Sequence, residues 1–147
     1  MPFRVTSRIA ESSDAAFAYE VREKAMRAYE EATWGRWNVA RTQRQIQDDI
    51  AASRLNIIEV DLRIAGIMRV DEHPTHMHLD QLFLLPEYQS RGIGTKLVEA
   101  VLRGARLKNL PVKLWVLRVN PAQRLYERLG FQVVAQTAAS VYLQSAA

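Results

Sequence analysis

"PEYQSRGIGTKLVEAVL", residues 86–102, contains the stretch that decides the fold. Gly92 and Gly94 lie between an apolar segment that ends at Leu85 and a helical pattern that begins near Gly94. A turn of this kind leaves backbone N–H groups free at a helix N-terminus, where the helix dipole favours an anion. The stretch lacks the third glycine of a dinucleotide fingerprint and the Gly-Lys-Ser/Thr of a P-loop. It therefore predicts a phosphate-binding turn of another kind, while a plain strand-to-helix turn is the alternative.

The segments on either side predict a crossover unit. Apolar residues recur at helical spacing from Ile93 onward, so the spacing predicts an amphipathic helix to about Asn109. Residues 79–85 and 112–119 have the composition of strands. Because strand, helix and strand follow in that order, we expect the two strands to lie parallel.

The first half of the chain predicts a strand over residues 3–10 and a helix ending near Thr33. The sequence "WGRWN", residues 34–38, interrupts the helical pattern, and a capping-box spacing of Thr42 and Gln45 predicts a second helix from there. Residues 55–72 predict two strands joined by a tight turn at 61–63.

The remaining chain predicts a short helix over residues 120–130, with Asn120 as its cap, and two closing strands at 131–136 and 140–144. The sum is an α/β fold with a mixed, largely antiparallel sheet and helices on both faces. There is no internal repeat or Gly/Ser linker, so residues 1–147 are expected to form a single domain.

Composition narrows the class of protein. The 147 residues are 48% hydrophobic and 24% charged, as in ordinary globular proteins. No apolar run is long enough to span a bilayer, and no signal-peptide pattern opens the chain, so we expect a cytoplasmic protein without a membrane partner. With no cysteine, disulfides, thiolate metal sites and a cysteine nucleophile are excluded.

Charge is unevenly distributed. Residues 1–72 carry 11 Lys/Arg against 12 Asp/Glu, whereas residues 73–147 carry 9 against 4. The basic second half favours an anionic partner such as a nucleotide, a phosphorylated cofactor or nucleic acid, or is simply a solvated basic surface.

Two separated motifs carry a family resemblance. Gln89-x-x-Gly92-x-Gly94 follows "LFLLPEY", and "LWVLRVN" runs into "NPAQRLYERLGF" after the long helix. This array resembles the GNAT superfamily of acyl-CoA N-acyltransferases, most strongly over residues 79–131. The resemblance implies a fold with one splayed parallel strand pair, acetyl-CoA as the acyl donor, and an amine as acceptor.

The resemblance also implies roles for individual residues. The backbone of Phe83, Leu84 and Leu85 would pair with the pantetheine arm, and Asn120 would touch the pantetheine or the adenine end. Tyr126 would protonate the departing thiolate, although a core tyrosine is the alternative. N–H groups of seven consecutive residues would hold the pyrophosphate, with added charge from the arginine among them: Gln89, Ser90, Arg91, Gly92, Ile93, Gly94 and Thr95.

Removing the proton from an ammonium acceptor requires a base or a water chain. The strand "HMHLDQL" carries no glutamate, so Asp80 is the candidate base, and His78 is the second choice and a substrate-site residue. A structural carboxylate is the alternative for Asp80. His73, His76 and His78 lack the pattern of a metal site, so we predict no metal.

In the family, the loop between the first two helices borders the acceptor, which implies substrate contacts for Trp34, Arg36 and Trp37. The two indoles would stack on the acceptor or simply hold the helices together. Glu30 and Glu31 favour an ammonium and Arg36 a carboxylate, so the charges alone leave the acceptor open.

The sequence thus predicts an N-acetyltransferase in which a primary amine attacks bound acetyl-CoA directly. A non-catalytic module that binds CoA or nucleic acid on the same fold is the alternative, with nucleic acid the less favoured because no face interleaves aromatic and basic residues. Similar proteins are often dimers, and the sequence leaves open whether this protein forms a homodimer.

Overall fold

The computed structural model describes residues 3–146. Within this range the chain forms seven strands and four α-helices. The strands are β1 (Val5–Ile9), β2 (Asn56–Val60), β3 (Arg63–Glu72), β4 (Met77–Leu84), β5 (Val112–Leu117), β6 (Gln132–Gln136) and β7 (Ser140–Gln144). The helices are α1 (Ala15–Trp34), α2 (Val39–Ala51), α3 (Ile93–Leu107) and α4 (Gln123–Arg128), with short 3₁₀ turns at Ser12–Asp14 and Pro86–Tyr88.

The strands form one sheet in the order β1-β2-β3-β4-β5-β7-β6. It is mostly antiparallel, and β4 and β5 are its parallel pair, with Met77 opposite Val112 and His78 opposite Lys113. The predicted α/β class, the mostly antiparallel sheet and the parallel pair are confirmed.

The chain divides into two compact units. The first comprises the residues up to Arg69 together with Gln81–Gly94, and the second comprises Val70–Asp80 together with the residues from Thr95 onward. In the first unit, α1 and α2 bury aliphatic side chains against β2 and β3, which excludes water from one continuous cluster. Its fully buried members include Ala18, Val21, Ile46, Leu55, Ile57 and Ile67.

A glycine brings β3 close to the end of β4 in the first unit. A Cβ atom on Gly66 would collide with the carbonyl oxygen of Phe83, so only glycine permits this approach. The N–H of Leu85 donates to the carbonyl of Ala65 over 2.9 Å. The end of β4 is therefore fixed in place by β3.

In the second unit, β7 lies between β5 and β6 and pairs antiparallel with both. Val112, Leu114 and Val116 alternate on the buried side of β5, and Ser145 closes the ladder by accepting at its Oγ from the N–H of Val112 at 2.8 Å. The period-two burial is the pattern expected of a strand with one covered face.

Two predicted helix starts are wrong. α2 begins at Val39 because Asn38 caps it, its Oδ1 accepting from the N–H of Arg41 at 2.9 Å. Thr42 lies inside the helix, where its hydroxyl donates to the carbonyl of Asn38. α4 begins at Gln123, and the Asn120 side chain instead accepts from the N–H of Ala122 in the preceding turn.

None of the helices in the described part of the chain is both long and apolar enough to cross a membrane.

Candidate functional site

An exposed loop joins β4 to α3. It runs from Leu85 to Ile93, both buried, and residues 89–92 between them are exposed to solvent. Ser90 and Gly92 adopt left-handed conformations, with φ of 59° and 78°. The loop therefore turns sharply twice before α3 begins at Ile93, one residue earlier than predicted, and the first-turn N–H groups of α3 have no carbonyl one turn back.

Gln89 and Gly92 serve this loop in different ways. The side chain of Gln89 donates from Nε2 to the carbonyl of Leu84 at 3.0 Å, and its own N–H donates to the carbonyl of Pro86. Gln89 therefore ties the loop to the end of β4. Around Gly92, a Cβ atom would meet no heavy atom within 4 Å, so its requirement for glycine comes from φ and the space above it is open.

The last residues of β4 present their backbone groups to two sides. Leu85 donates toward β3, whereas Leu84 faces the opposite side, where its carbonyl accepts from Gln89. Phe83 packs its ring against the core cluster of the first unit. Of the three residues predicted to pair with pantetheine, Leu84 thus has its backbone turned away from β3.

Tyr126 lies in α4 of the second unit and is 7% exposed. Its ring meets that of Phe131 edge-on, with centroids 5.5 Å apart. Burial disfavours the phenolate and raises the pKa of Tyr126 to about 12. The phenol is therefore protonated throughout the neutral range, as both a general acid and a core tyrosine would be.

His78 and Asp80 lie on one face of β4, as their spacing predicted. His78 Nε2 and Asp80 Oδ1 are 3.8 Å apart, and 36% of the Asp80 side chain is exposed. Asp80 is thus a carboxylate at the surface of the second unit with an imidazole beside it.

The imidazole rings of His73, His76 and His78 also lie together, with centroids 4.8 to 6.5 Å apart. Burial, followed by the nearby charge of Lys113, lowers the pKa of His76. Among residues 3–146, no group of three or more His, Cys, Asp or Glu side chains is arranged to hold a metal ion.

The predicted acceptor residues separate in the structure. Trp34 and Arg36 line a cleft between α1 and α2, whereas the indole of Trp37 donates to the hydroxyl of Tyr19 at 3.0 Å. Trp37 thus joins the loop to α1. Glu30 lines the cleft, while Glu31 lies 3.6 Å from Arg27 in an ion pair.

This cavity, called here the α1–α2 cleft, has a volume of about 660 Å³, and the residues that line it include Arg22, Glu30, Trp34, Arg36, Arg41 and Gln45. Sequence reasoning did not assign Arg22, Arg41 or Gln45 to a binding site. Arg41 and Gln45 are four residues apart on α2 and therefore share a helical face. The sequence predicted a helix that begins after Arg41, so this spacing could be used only once the helix was known to begin at Val39.

A buried ion pair was also missed. Asp49 of α2 is 4% exposed, and its carboxylate accepts from Arg69 at 3.1 Å, Gln81 at 3.0 Å and, more weakly, Arg54 at 3.4 Å. Asp49 follows Ile46 by three residues, so the spacing placed it on the apolar face of α2. The network connects α2 to β3 and β4 within the first unit.

Comparison with known proteins identifies the family. A family model described as an acetyltransferase (GNAT) domain matches residues 51–133. A protein of Archaeoglobus fulgidus named as an uncharacterized N-acetyltransferase is 35% identical over a 79-residue alignment that covers 48% of this chain and 54% of that protein. The chain thus spans about half the length of the curated relative that it matches.

Solved structures share the fold. The PaiA N-acetyltransferase of Thermoplasma acidophilum, in complex with coenzyme A, has a TM-score of 0.75 at 17% identity, covering 98% of this chain and 99% of that one. The ribosomal-protein-S18-alanine N-acetyltransferase of Escherichia coli has a TM-score of 0.72 at 18% identity, with 97% and 93% covered. At such identities the likeness shows the fold alone. The family assignment comes from the model that matches more than half of the residues, and by that match the chain belongs to the GNAT acetyltransferase family.

Proposed function

We propose that this protein transfers an acetyl group from acetyl-CoA to a primary amine, which attacks the bound thioester directly. The observation that carries the proposal is the exposed loop before α3. Two left-handed residues in it, Ser90 and Gly92, bend the backbone just before the N-terminus of α3. Such a terminus favours an anion, and the pyrophosphate of CoA supplies one.

Acetyl-CoA would be held mainly by backbone groups. The N–H groups of residues 90–95 would bind the pyrophosphate, and the exposed guanidinium of Arg91 would add positive charge. Gln89 would act by holding the loop against β4, because its own N–H already donates to Pro86. Leu84, with Phe83 and Leu85 beside it, would pair with the pantetheine amides in the manner of an added strand. Asn120 would contact the pantetheine or the adenine end.

The reaction forms one bond and breaks one. The amine nitrogen attacks the thioester carbonyl carbon, and the C–S bond then breaks, leaving the acetylated amine and the thiolate of CoA. An acceptor that arrives as an ammonium loses two protons on its way to the amide, one before the attack and one from the tetrahedral intermediate. The thiolate gains one proton, and the other is released to solvent. Tyr126 is suited to donating the proton that the thiolate gains because its phenol, with a pKa of about 12, is fully protonated at neutral pH.

Removing the proton that the ammonium loses before the attack requires a base, because only the neutral amine is a nucleophile. An alkylammonium with a pKa of about 10.4 is deprotonated about once in 10³ near pH 7.4, which costs about 4 kcal/mol. Asp80 is our candidate for accepting that proton, directly or through water, with His78 at 3.8 Å as the adjacent group. A mechanism through a cysteine acyl-enzyme is excluded since the chain has no cysteine.

The test is acetyl-CoA-dependent thiol release with pooled amine acceptors, comparing the wild-type protein with Tyr126→Phe and Asp80→Asn. The protein adds no thiol background of its own. If Tyr126 is the general acid, Tyr126→Phe should lower kcat by about 10²- to 10⁴-fold while the Kd for CoA stays unchanged.

Equal kcat values in the wild type and in Tyr126→Phe would overturn the role of Tyr126. Binding of acetyl-CoA without turnover across every acceptor pool would support the binding-module alternative instead.

A further inference from the structure

The α1–α2 cleft has the size of a small-molecule site. Its volume of about 660 Å³ lies within the range of ligand pockets. Its walls are mostly polar or charged, with the indole of Trp34 as the large aromatic surface. A polar ligand of amino-acid or short-peptide size therefore suits it better than an apolar one.

The charges in this cleft are unbalanced. Three arginines, Arg22, Arg36 and Arg41, line it together with one acidic residue, Glu30. Arg22 is held in position by a hydrogen bond to Gln45 Oε1 at 2.8 Å. Over residues 3–146, neither Arg36 nor Arg41 has an ion pair or a hydrogen bond through its guanidinium, and Glu30 has no ion pair. The site thus carries positive charge that the protein does not neutralise.

A carboxylate is the anion that fits this arrangement. Guanidinium groups bind carboxylates through paired, charge-assisted hydrogen bonds, and a concave site strengthens the attraction. Phosphates are bound by arginine in the same way, but Glu30 in the wall would repel a multiply charged phosphate. The exposed face of Trp34 can stack on an apolar part of a ligand bound there.

We propose that the α1–α2 cleft binds the carboxylate of the acceptor, through Arg36 and Arg41, so that the acceptor is an amine that also carries a carboxylate: an amino acid or a short peptide. The identification of the cleft as an acceptor site rests on the proposed acetyl transfer. The binding of a carboxylate by the cleft does not depend on that transfer.

The first experiment compares matched acceptors that differ by one carboxylate: L-phenylalanine with 2-phenylethylamine, and L-lysine with cadaverine. The wild-type protein should show a kcat/KM ratio that favours the carboxylate-bearing member. Arg36→Gln and Arg41→Gln should each lower that ratio by about 10- to 100-fold. Because each ratio is compared between proteins, differences in amine basicity cancel.

Arg44→Gln is the matched control. Arg44 lies on α2 three residues after Arg41 and is exposed, but it does not line the cleft. Its replacement should leave the ratio at the wild-type value. An unchanged ratio in both Arg36→Gln and Arg41→Gln, with turnover intact, would overturn the inference and leave the proposed function standing.

The second experiment measures binding without acetyl-CoA, by calorimetry with L-phenylalanine, 2-phenylethylamine and inorganic phosphate. We expect L-phenylalanine to bind more tightly than the other two, and Arg36→Gln to remove that difference. Binding of this kind without any thiol release would support the inference and contradict the proposed function. Phosphate binding as tight as that of L-phenylalanine, or no binding of L-phenylalanine, would overturn the inference.

Discussion

The two ends of α2 use arginine in opposite ways. Near its C-terminus, the buried carboxylate of Asp49 accepts from Arg69 and Arg54 and from the amide of Gln81. Near its N-terminus, Arg36 and Arg41 line an open cleft in which the described residues provide neither with an ion pair. The same residue type is thus satisfied by the protein at one end and left for a ligand at the other.

This difference separates stability from binding. A buried carboxylate must be paired, since removing its partners or the carboxylate itself leaves an uncompensated polar group away from water. An exposed guanidinium is hydrated, so it contributes little to folding and keeps its capacity to bind an anion. Substitutions at the Asp49 end should therefore change stability, and those at the cleft end should change ligand binding.

The largest effect is expected at Asp49. Asp49→Ala would leave Arg69, whose side chain is 18% exposed, without its carboxylate partner. We expect the free energy of unfolding to fall by about 3 kcal/mol, near the lower end for a broken buried pair because Arg54 can turn into water. Urea denaturation measures the change.

Asp48→Ala is the control for this substitution, because Asp48 is the exposed neighbour on the same helix. It should change stability by no more than about 0.5 kcal/mol. Equal losses for Asp48→Ala and Asp49→Ala would show that the network around Asp49 has no special role.

Tyr126 is a second buried titratable group, and it is neutral, whereas the buried carboxylate of Asp49 is paired with arginine. Its folded-state pKa, about 12, lies above the ordinary tyrosine pKa of 10.0. The folded state therefore binds the phenolic proton more tightly, and the resulting stability is fully present below pH 10 and is lost as the pH rises through 12. Relative to Tyr126→Phe, the wild type should lose about 2 kcal/mol between pH 9 and pH 12.

Denaturation of both proteins at each pH isolates this contribution, since other alkaline titrations are common to the two. Parallel stability curves for the wild type and Tyr126→Phe would contradict a burial-raised pKa.

A smaller effect is expected in the exposed loop. Gly92 has a φ of 78°, so Gly92→Ala should lower stability by about 1 to 2 kcal/mol through backbone strain. The added methyl group would also occupy the open space above the loop, so the Kd for CoA should rise. Denaturation and CoA titration measure the two effects separately.

Gly104 provides the opposite case. It lies within α3, where a Cβ atom would meet no heavy atom within 4 Å, and its φ is not positive. Gly104→Ala should therefore raise stability by about 0.5 to 1 kcal/mol and leave CoA binding unchanged. A loss of stability at Gly104, or none at Gly92, would contradict the backbone account of the loop.

The smallest effect on stability is expected at the cleft end of α2. The double substitution Arg36→Gln/Arg41→Gln should change the free energy of unfolding by no more than about 0.5 kcal/mol, because both side chains are exposed and neither has an ion pair among residues 3–146. A loss comparable to that of Asp49→Ala would mean that these arginines are structural, and the contrast between the two ends of α2 would fail.

Local patterns predicted much of this fold. The turn at Asp61 and Leu62 follows from two apolar runs with a polar break, and the β4–α3 loop follows from its glycines. The start of α2 did not, because Asn38 and Thr42 are both good capping residues and β-branched Val39 disguises a helical first turn. Only the structure decides between two caps four residues apart.

The site was less predictable than the fold. Tyr126, Asp80 and the loop residues were reached through motifs that are continuous in sequence. The α1–α2 cleft joins Arg22 to Arg41 across two helices, and the Asp49 network joins α2 to β3 and β4. Such sets depend on which helical faces meet, and a single sequence does not contain that information.

The central claim is that an amine takes the acetyl group of acetyl-CoA on this protein. The most direct test quantifies both products of one reaction mixture, free CoA thiol by colorimetry and acetylated acceptor by mass spectrometry. We predict that the two form in equal amounts, and only when protein, acetyl-CoA and amine are all present. Thiol release without acetylated amine, or no thiol release with any acceptor although acetyl-CoA binds, would contradict the claim.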